Sequence, residues 1–408
     1  MALDLILRGA RLPDTEGTRD IGIEDGRIVV IDPALSADGE ALDLAGALVT
    51  PGLIETHIHL DKSRILDRCT PSPDRGTDHM ARVAAVKPGF TVEDVYERAK
   101  ATLEGCLLHG TTHVRTHVEV DPNVGLRSFE ALQQLAKDYA WAVDLELCVF
   151  AQEGWTNVPE VDVNIVEALK QGAQVVGGAP GYDPDHAGQI ERIFELAKEF
   201  DVDVDIHLDV GPTAEDLDIY HVCDLTDRYG WDGRVAVGHG AKYSLLPGKE
   251  LKALGVRLAD AGVAVTVLPA TDLFVMGRDR DHGVIRGVAD ANALAHCGVN
   301  CSLSSNNILN PFTPFGDGSL TRIANLYANT VQRGTSDELA ECFEMLTRNS
   351  ARLMRVKDYG IAVGKPADLA VWAVDSPGDA VATAAQPLYG FKRGRRTFTR
   401  ARPELHRP

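Results

Sequence analysis

The chain has 408 residues, of which 60 are acidic and 41 basic, and its formal net charge is −19. Such a surface would repel the phosphates of nucleic acid, and no block of lysine or arginine offers a local exception. The length is too great for one ordinary core, but it suits a β/α barrel of roughly 250 to 300 residues joined to a smaller domain.

The first residues carry neither a basic segment nor a long apolar run, and no stretch approaches about 18 apolar residues. We therefore expect neither a signal peptide nor a membrane span. The seven cysteines are scattered, and their one close pair, Cys297 and Cys301, is too widely spaced for a C-x-x-C motif. This usage predicts reduced thiols in a cytoplasmic protein.

Both ends of the chain have the pattern of short strands separated by glycine and aspartate turns. The strand-like segments are residues 5–12, 20–31, 41–49, 359–374 and 387–398. Apolar residues alternate within them, and Glu24-Asp-Gly-Arg27 is a hairpin signal. Two all-β ends around a different middle predict one small β-sandwich domain, built from residues 1–50 and 357–408.

Residues 51–356 alternate between strand-like and helix-like segments, as parallel β/α units do. Residues 91–108, for example, place apolar side chains at helical spacing. The strand-like segments are residues 49–62, 112–120, 144–151, 174–179, 202–209, 234–239, 264–269 and 300–304. These eight strands predict an α/β fold in which a (β/α)8 TIM-like barrel is inserted between the two halves of the β-sandwich domain.

Polar residues gather at the carboxyl ends of the predicted strands, which is the face where barrel enzymes place their active sites. His57 and His59 share one face of the first strand because side chains alternate along a strand. His207 lies near the end of strand five, and His239 ends strand six. Neutral imidazoles suit zinc or iron(II), and three protein ligands leave a position for water, so the pattern predicts one divalent metal ion. Other candidates at strand ends are His117, Gln152, Glu153, Asp209 and Asn306.

Six motifs together give the chain a family resemblance. Two of them are Glu55-Thr-His-Ile-His-Leu-Asp-Lys-Ser63 and Pro311-Phe-Thr-Pro-Phe-Gly-Asp-Gly318. The other four are residues 113–121, 149–154, 202–207 and 233–239. With these motifs the chain resembles the amidohydrolase superfamily and, within it, the branch of cytosine deaminase and N-isopropylammelide isopropylaminohydrolase. The likeness runs from about residue 3 to about residue 395.

The resemblance implies a role for each of the four histidines. His57, His59 and His207 would be metal ligands, and His239 would hold the water that the metal activates. The implied activity is hydrolysis of a C–N bond in a small nitrogen heterocycle, by a deaminase or a cyclic amide hydrolase. We expect a homo-oligomer whose only partner is its small-molecule substrate.

Four further residues are predicted to bind the substrate. By the resemblance, Gln152 would meet a polar edge of the substrate, and Phe312 would lie beside its ring. Lys62 follows the histidine pair, so it would either pair with a carboxylate near the metal or reach an anionic substrate. Glu153, next to Gln152, is assigned to the same surface.

Two departures from the family pattern affect proton transfer. Where the family has a glutamate three residues after the strand-five histidine, this chain has Val210. Asp209 is close to that position and would face the same side as His207, provided the strand runs that far. Where the family has an aspartate after strand eight, this chain has Asn306, whose amide cannot accept a proton from water at neutral pH.

Three interpretations follow from these departures. The first is a C–N hydrolase in which Asp209, Glu153 or His239 transfers the proton in place of the missing carboxylates, with Asn306 at the site. The second is a barrel that keeps its cavity but has lost hydrolysis and binds a small molecule. The third is an Asp→Asn substitution introduced deliberately at position 306.

A polar segment after strand seven contains Asp272, Arg278, Asp281 and His282. These side chains could line the mouth of a cavity, but polar segments of this kind are usually solvated loops. We therefore predict a solvated loop here.

Overall fold

The computed structural model describes residues 2–13, 15–71 and 78–406, which form two sheets and a surrounding set of helices. The strands are β1 (Ala2–Arg11), β2 (Thr18–Glu24), β3 (Arg27–Asp32), β4 (Asp38–Asp43), β5 (Leu48–Pro51), β6 (Leu53–Ile58), β7 (Thr111–Glu119), β8 (Asp144–Phe150), β9 (Val175–Val176), β10 (Asp203–Leu208), β11 (Val235–His239), β12 (Val263–Val267), β13 (Cys301–Leu303), β14 (Leu369–Trp372), β15 (Pro387–Lys392) and β16 (Arg395–Thr399). The helices are α1 (His79–Ala84), α2 (Val92–Leu108), α3 (Arg127–Asp138), α4 (Pro159–Lys170), α5 (His186–Phe200), α6 (Ile219–Tyr229), α7 (Gly248–Ala261), α8 (Pro269–Val275), α9 (Ala291–Ala295), α10 (Leu320–Val331), α11 (Ser336–Glu344), α12 (Arg348–Leu353) and α13 (Pro377–Ala382).

Strands β6 to β13 form a parallel sheet in which each strand lies beside its neighbour in the chain. Strands β10, β11 and β12 are buried along their whole length, as expected for parallel strands covered by helices on one face and filled with side chains on the other. A parallel bridge between Ile58 and Asn306 brings the two edges together. The predicted (β/α)8 barrel is therefore confirmed.

The closing point of the barrel is also the position of the first histidine pair. The backbone N–H of Asn306 donates to the carbonyl of His57 at 2.9 Å, and the N–H of His59 donates to the carbonyl of Asn306 at 2.8 Å. Asn306 has a left-handed backbone with φ +58°, a region in which asparagine is tolerated better than most residues. Barrel closure thus places the residue 306 side chain next to the histidines.

Helix α2 illustrates why the helices pack around the barrel. Thr91 caps its start by accepting a hydrogen bond from the Asp94 backbone N–H at 3.2 Å. Val95, Ala99 and Leu103 then repeat every fourth residue on one buried face. Ala99 and Leu103 pack into the main hydrophobic core of the barrel and Val95 into a smaller cluster, which confirms the helix predicted over residues 91–108.

The second sheet is assembled from both ends of the chain, as predicted. Strand β5 pairs antiparallel with β14, which joins the amino-terminal strands to the carboxyl-terminal ones. Its core is separate from that of the barrel and includes Leu7, Ile21, Leu369 and Phe391. Residues 359–374, predicted as strand and turn, contain one strand, β14.

Positive backbone φ angles explain why a turn precedes β14. Gly360 has φ +113° and Gly364 has φ +89°, so this segment turns and does not run extended. Among the residues that the structure describes, no helix is long and apolar enough to cross a membrane. All seven cysteines are free thiols, and all except Cys297 are buried.

Candidate active site

Three histidines, two at the end of β6 and one on β10, converge at the carboxyl end of the barrel. The Nε2 atom of His207 lies 3.1 Å from Nε2 of His57 and 2.9 Å from Nε2 of His59. Phe150 stacks on the His207 ring with centroids 4.8 Å apart and holds that ring in place. We call His57, His59 and His207 the histidine cluster.

Burial keeps the histidine cluster uncharged. It lowers the pKa of His57 to about 3 and lowers the pKa of His59 and His207 well below the usual range. A neutral Nε2 either donates one hydrogen bond or accepts one, so His207 cannot pair well with both neighbours at once. The ligand atoms of His57, His207 and His239 all lie within 4.8 Å of one another, and His59 adjoins this group through its 2.9 Å contact with His207, so one cation would use several of these lone pairs. Since three neutral imidazoles are ligands that zinc and iron favour, these residues fit a divalent metal ion.

His239 is a fourth imidazole at the edge of this cluster. A nitrogen of His239 lies within 4.8 Å of ligand atoms of His57 and His207. Its Nδ1 is 2.5 Å from Oδ1 of Asp272, and its Nε2 is 3.4 Å from Nδ2 of Asn306. Because a carboxylate accepts from Nδ1–H, the lone pair of His239 is on Nε2, the atom that faces the cluster.

The position of Asp272 corrects the prediction of a solvated loop. Asp272 belongs to helix α8, and its side chain is fully buried. Its Oδ2 has no hydrogen-bond partner among the described residues. Burial raises the pKa of Asp272, and the contact with His239 opposes that shift. The sequence could not predict this burial, because a single aspartate after Pro-Ala-Thr carries no sign of whether its side chain is buried.

A second layer of polar residues lies beneath the histidine cluster. Oδ1 of Asp205 is 3.5 Å from Nδ1 of His57 and 3.5 Å from Nε2 of His117. Its Oδ2 accepts a hydrogen bond from Arg115 at 3.0 Å. The His117 ring lies against that of His57, with centroids 3.7 Å apart. The sequence analysis did not select Asp205, although strand alternation places it on the same face as His207.

A cavity of about 580 Å³ opens above the histidine cluster. Its walls include Gln152, Phe312, Asp209 and Asn306, four of the residues predicted to form the site. Val210, which stands where the family has a glutamate, also lines the cavity and is 42% exposed. The cavity therefore has polar groups near the histidines and an apolar wall farther out, a common design for small-molecule sites.

Asp209 lines the cavity, as predicted, but strand alternation is not the reason. Strand β10 ends at Leu208, and Asp209 has φ +53°, so strand alternation no longer sets its direction. Its carboxylate accepts from the backbone N–H of Asp218 at 2.9 Å and from the Tyr243 hydroxyl at 3.0 Å. Burial raises the pKa of Asp209 to about 6, although these hydrogen bonds oppose the shift.

Lys62 and Glu153 do not line the cavity. The Lys62 ammonium lies behind it and donates to Glu119 at 2.5 Å and to Gln152 Oε1 at 3.0 Å. Glu153 forms an ion pair with Lys87. Of the two expectations for Lys62, the structure bears on the first, because the buried ammonium contacts the carboxylate of Glu119. Lys87 was missed because it follows the first strand in a long connection without a recognisable motif.

Comparison with known proteins identifies the family. The model of the amidohydrolase family matches residues 48–397, which is most of the chain. The chain belongs to the amidohydrolase family. It is a hydrolase that acts on C–N bonds other than peptide bonds, as the sequence predicted.

Three similar proteins belong to the branch that the motifs indicated. This amidohydrolase is 30% identical over 404 residues to N-isopropylammelide isopropyl amidohydrolase of Pseudomonas sp. strain ADP, with 96% of each chain covered. It is 26% identical to pterin deaminase of Rhizobium rhizogenes, with 88% of this chain and 84% of the relative covered. The crystal structure of 5-methylcytosine deaminase from Klebsiella pneumoniae superposes with a TM-score of 0.93 at 27% identity, covering 99% of both chains. The predicted branch is therefore confirmed.

Proposed function

We propose that this amidohydrolase cleaves a C–N bond of a small nitrogen heterocycle with water activated at one divalent metal ion, zinc or iron. The observation that carries the proposal is the convergence of the three Nε2 atoms of the histidine cluster beneath a cavity of about 580 Å³. The three similar proteins are named for nitrogen heterocycles, which supports this substrate class.

The histidine cluster would hold the metal through its Nε2 atoms. When bound, a divalent cation supplies Lewis acidity, which makes water a nucleophile near neutral pH and polarises the bond under attack. The protein contributes neutral ligands, because burial lowers the pKa of all three imidazoles. It also excludes solvent, since the three side chains are buried.

His239 would take the proton from the attacking water. Asp272 orients its ring and stabilises the imidazolium that forms, as the carboxylate of a His–Asp pair does in other hydrolases. The water oxygen then bonds to the ring carbon, the C–N bond breaks, and the proton passes from Nε2 to the leaving nitrogen. This assignment supplies a base although Asn306 replaces the aspartate of the family.

Gln152 and Phe312 would position the substrate. Both line the cavity on the side of the histidine cluster, and Phe312 is 9% exposed, so its ring forms part of a wall. An aromatic ring beside a planar heterocycle offers a stacking surface, and an amide fixes the in-plane orientation. Asp209 would accept or donate a proton farther from the metal.

The test combines metal analysis with a substrate screen. We expect about one equivalent of zinc or iron in the purified protein and release of ammonia or an amine from at least one pyrimidine, triazine, pterin or cyclic urea. His239→Gln should lower kcat by about 10²- to 10⁴-fold, the usual contribution of a general base. The exposed His296 provides a matched control, and His296→Gln should leave kcat unchanged.

A second candidate function is binding without hydrolysis, which the amide at position 306 favours. Asparagine lacks the negative charge of the family aspartate, so the site should bind a metal ion less tightly. Two results together would contradict the proposed hydrolysis and favour a binding protein. They are well under one equivalent of bound metal, and no release of ammonia, amine or ring-opened product after metal is added.

A further inference from the structure

The cavity is larger than a single heterocyclic ring requires. Its volume is about 580 Å³, whereas a cavity of about 150 Å³ is enough to hold a benzene ring. Its walls also extend beyond the residues next to the histidine cluster, to the start of α1 and to the segment that follows α8. Space therefore remains for a further part of the substrate when the reacting ring is bound.

We call this further space the outer pocket. It is defined by five residues that line the cavity, His79, Met80, Met276, Arg278 and Phe312. Among the described residues, His79 has ring contacts with Phe312 at 6.1 Å and with Phe274 at 5.9 Å, and none with the histidine cluster. The outer pocket thus adjoins Phe312, the proposed neighbour of the reacting ring, and lies away from the metal ligands.

The side chains of the outer pocket share a preference for aromatic rings. Imidazole, phenyl and guanidinium groups are planar and stack on aromatic faces, and thioethers also contact aromatic rings favourably. Arg278 already makes such a contact, since its guanidinium carbon lies 4.7 Å from the centre of the Phe274 ring. This composition suits a flat aromatic group better than a flexible aliphatic chain.

Phe274 supports the outer pocket from behind and does not itself line the cavity. One face of its surroundings is the His79 ring, and Phe315 packs edge-on against it at 5.8 Å. The same phenyl ring carries the guanidinium of Arg278. One side chain therefore orders two planar groups from separate segments, and a wall that is already ordered lowers the entropic cost of binding.

The charges near His79 favour a neutral ligand group. Asp78 and Arg278 both line the cavity, so a charged substituent would be opposed by one of them. Burial and the nearby Arg278 lower the pKa of His79, so its imidazole is uncharged at neutral pH. Its Nδ1 is buried without a hydrogen-bond partner among the described residues, so no hydrogen bond at this atom accounts for a histidine here.

We propose that the outer pocket binds a second aromatic ring of the substrate, either fused to the reacting heterocycle or attached to it. His79 contacts this second ring and selects for it. The inference rests on the proposed function and narrows its substrate class to heterocycles with two rings. It gives His79 a part in substrate selection and none in the chemical step.

The test compares ligands that differ only in the second ring. Cytosine and isocytosine are the single-ring parents, 4-aminoquinazolin-2-one and 2-aminoquinazolin-4-one add a fused benzene ring, and the 6-phenyl derivatives of both parents add an attached one. Dissociation constants are measured by calorimetry on the full chain with zinc added. We expect at least one two-ring compound to bind about 10- to 100-fold more tightly than its parent, because the added ring is buried against aromatic and thioether groups.

Three variants test the part assigned to His79. His79→Ala removes the flat surface, and the ratio of the two dissociation constants should fall to less than about threefold. His79→Phe keeps a planar ring without nitrogen atoms, so it should retain the wild-type ratio. His282→Ala is the matched control, since His282 is 95% exposed and does not line the cavity, and it should also retain that ratio. Circular dichroism confirms that each variant is folded.

The outcomes distinguish this inference from the proposed function. Wild-type protein that binds no two-ring compound more tightly than its parent would overturn the inference alone. Retention of the ratio in His79→Ala, or its loss in His79→Phe, would do the same. Failure to bind any compound of this set or of the substrate screen would overturn the proposed function and the inference with it. A gain limited to the quinazolines would identify a fused ring, and a gain limited to the phenyl compounds an attached one.

Discussion

The carboxyl end of the barrel contains two buried polar clusters that differ in how well they are satisfied. In the histidine cluster, Nδ1 of His57 and of His59 lack hydrogen-bond partners, and so does Oδ1 of the adjacent Asn306. In the neighbouring lysine network, defined as Lys62, Lys87, Glu119 and Asp121, no buried side-chain atom lacks one.

The difference separates a ligand site from a scaffold. Three neutral Nε2 atoms that face one another cannot all be paired among themselves, and the unpaired Oδ1 of Asn306 borders them, so another molecule or ion would complete the histidine cluster. The lysine network is complete without a ligand, because each ammonium faces carboxylates. We therefore expect changes in the histidine cluster to alter binding, and changes in the lysine network to alter folding.

The strongest test of the histidine cluster is His207→Ala. Metal binding worth about 10–16 kcal/mol, shared among three imidazoles, implies a loss of about 3–5 kcal/mol per ligand. Hydrolysis should be abolished, and added zinc should no longer raise Tm as it does in the wild type. Metal content and thermal unfolding provide the measurements, with His296→Ala as the surface control. Wild-type metal affinity in His207→Ala would show that this histidine is not a ligand.

The corresponding test of the lysine network is Lys87→Met. Lys87 is 1% exposed and forms ion pairs with three carboxylates, those of Glu119, Asp121 and Glu153. Removing the cation leaves buried negative charge, which should lower the free energy of unfolding by about 3–5 kcal/mol. Urea denaturation measures the change. The exposed Lys252 serves as control, and Lys252→Met should stay within about 0.5 kcal/mol of wild type.

A loss below about 1 kcal/mol in Lys87→Met would contradict the scaffold role.

The pH dependence of stability at Glu119 provides a second measurement on the same network. Burial raises the pKa of Glu119, but Lys62 and Lys87 outweigh burial and lower that pKa to about 2. Its contribution to stability is thus complete above about pH 4.5 and is lost as the pH falls toward 2. Without Lys87 the pKa of Glu119 in the folded protein should rise, so in Lys87→Met less stability should be lost over this pH range.

Asp205→Asn examines the polar layer beneath the histidine cluster. Asp205 lies 3.5 Å from Nδ1 of His57 without a hydrogen bond, and its negative charge favours a proton on Nδ1, which leaves the Nε2 lone pair for a metal ion. We expect zinc affinity to fall about 10- to 100-fold, measured by competition with a chelator. Glu146→Gln is the matched control, because Glu146 also pairs with Arg115 but lies away from His57. Equal losses in both variants would trace the effect to Arg115.

Much of the site was predictable because it depends on regular strands. Alternation placed His57 and His59 together, and the meeting of parallel strand ends brought His207 and His239 beside them. The same regularity defined all eight barrel strands. Alternation does not extend to Asp209, because its left-handed backbone ends β10 one residue before the predicted boundary.

The groups that sequence analysis missed depend on packing between distant segments. Asp272 is buried only because helix α8 directs it toward His239, and nothing in its own neighbourhood indicates burial. Lys87 becomes important because Glu119 and Asp121 from a later strand surround it. Such partnerships are tertiary, so neither periodicity nor motif spacing could reveal them.

The smallest expected effect comes from restoring the family carboxylate with Asn306→Asp. The side chain is 3.4 Å from Nε2 of His239 and borders the histidine cluster, so a negative charge there should raise zinc affinity by up to about tenfold. If His239 and Asp272 already provide the base, kcat should change by less than about tenfold. Steady-state kinetics and chelator competition measure the two quantities.

Asn307→Asp is the control for charge alone, since Asn307 also lines the cavity but hydrogen bonds to Asn310 and not to His239. The two substitutions should differ in zinc affinity, because only residue 306 adjoins His239. A gain in kcat of about 10²-fold or more in Asn306→Asp would mean that the native site lacks a base. It would then be position 306, and not the His239–Asp272 pair, that decides whether this barrel hydrolyses its ligand or only binds it.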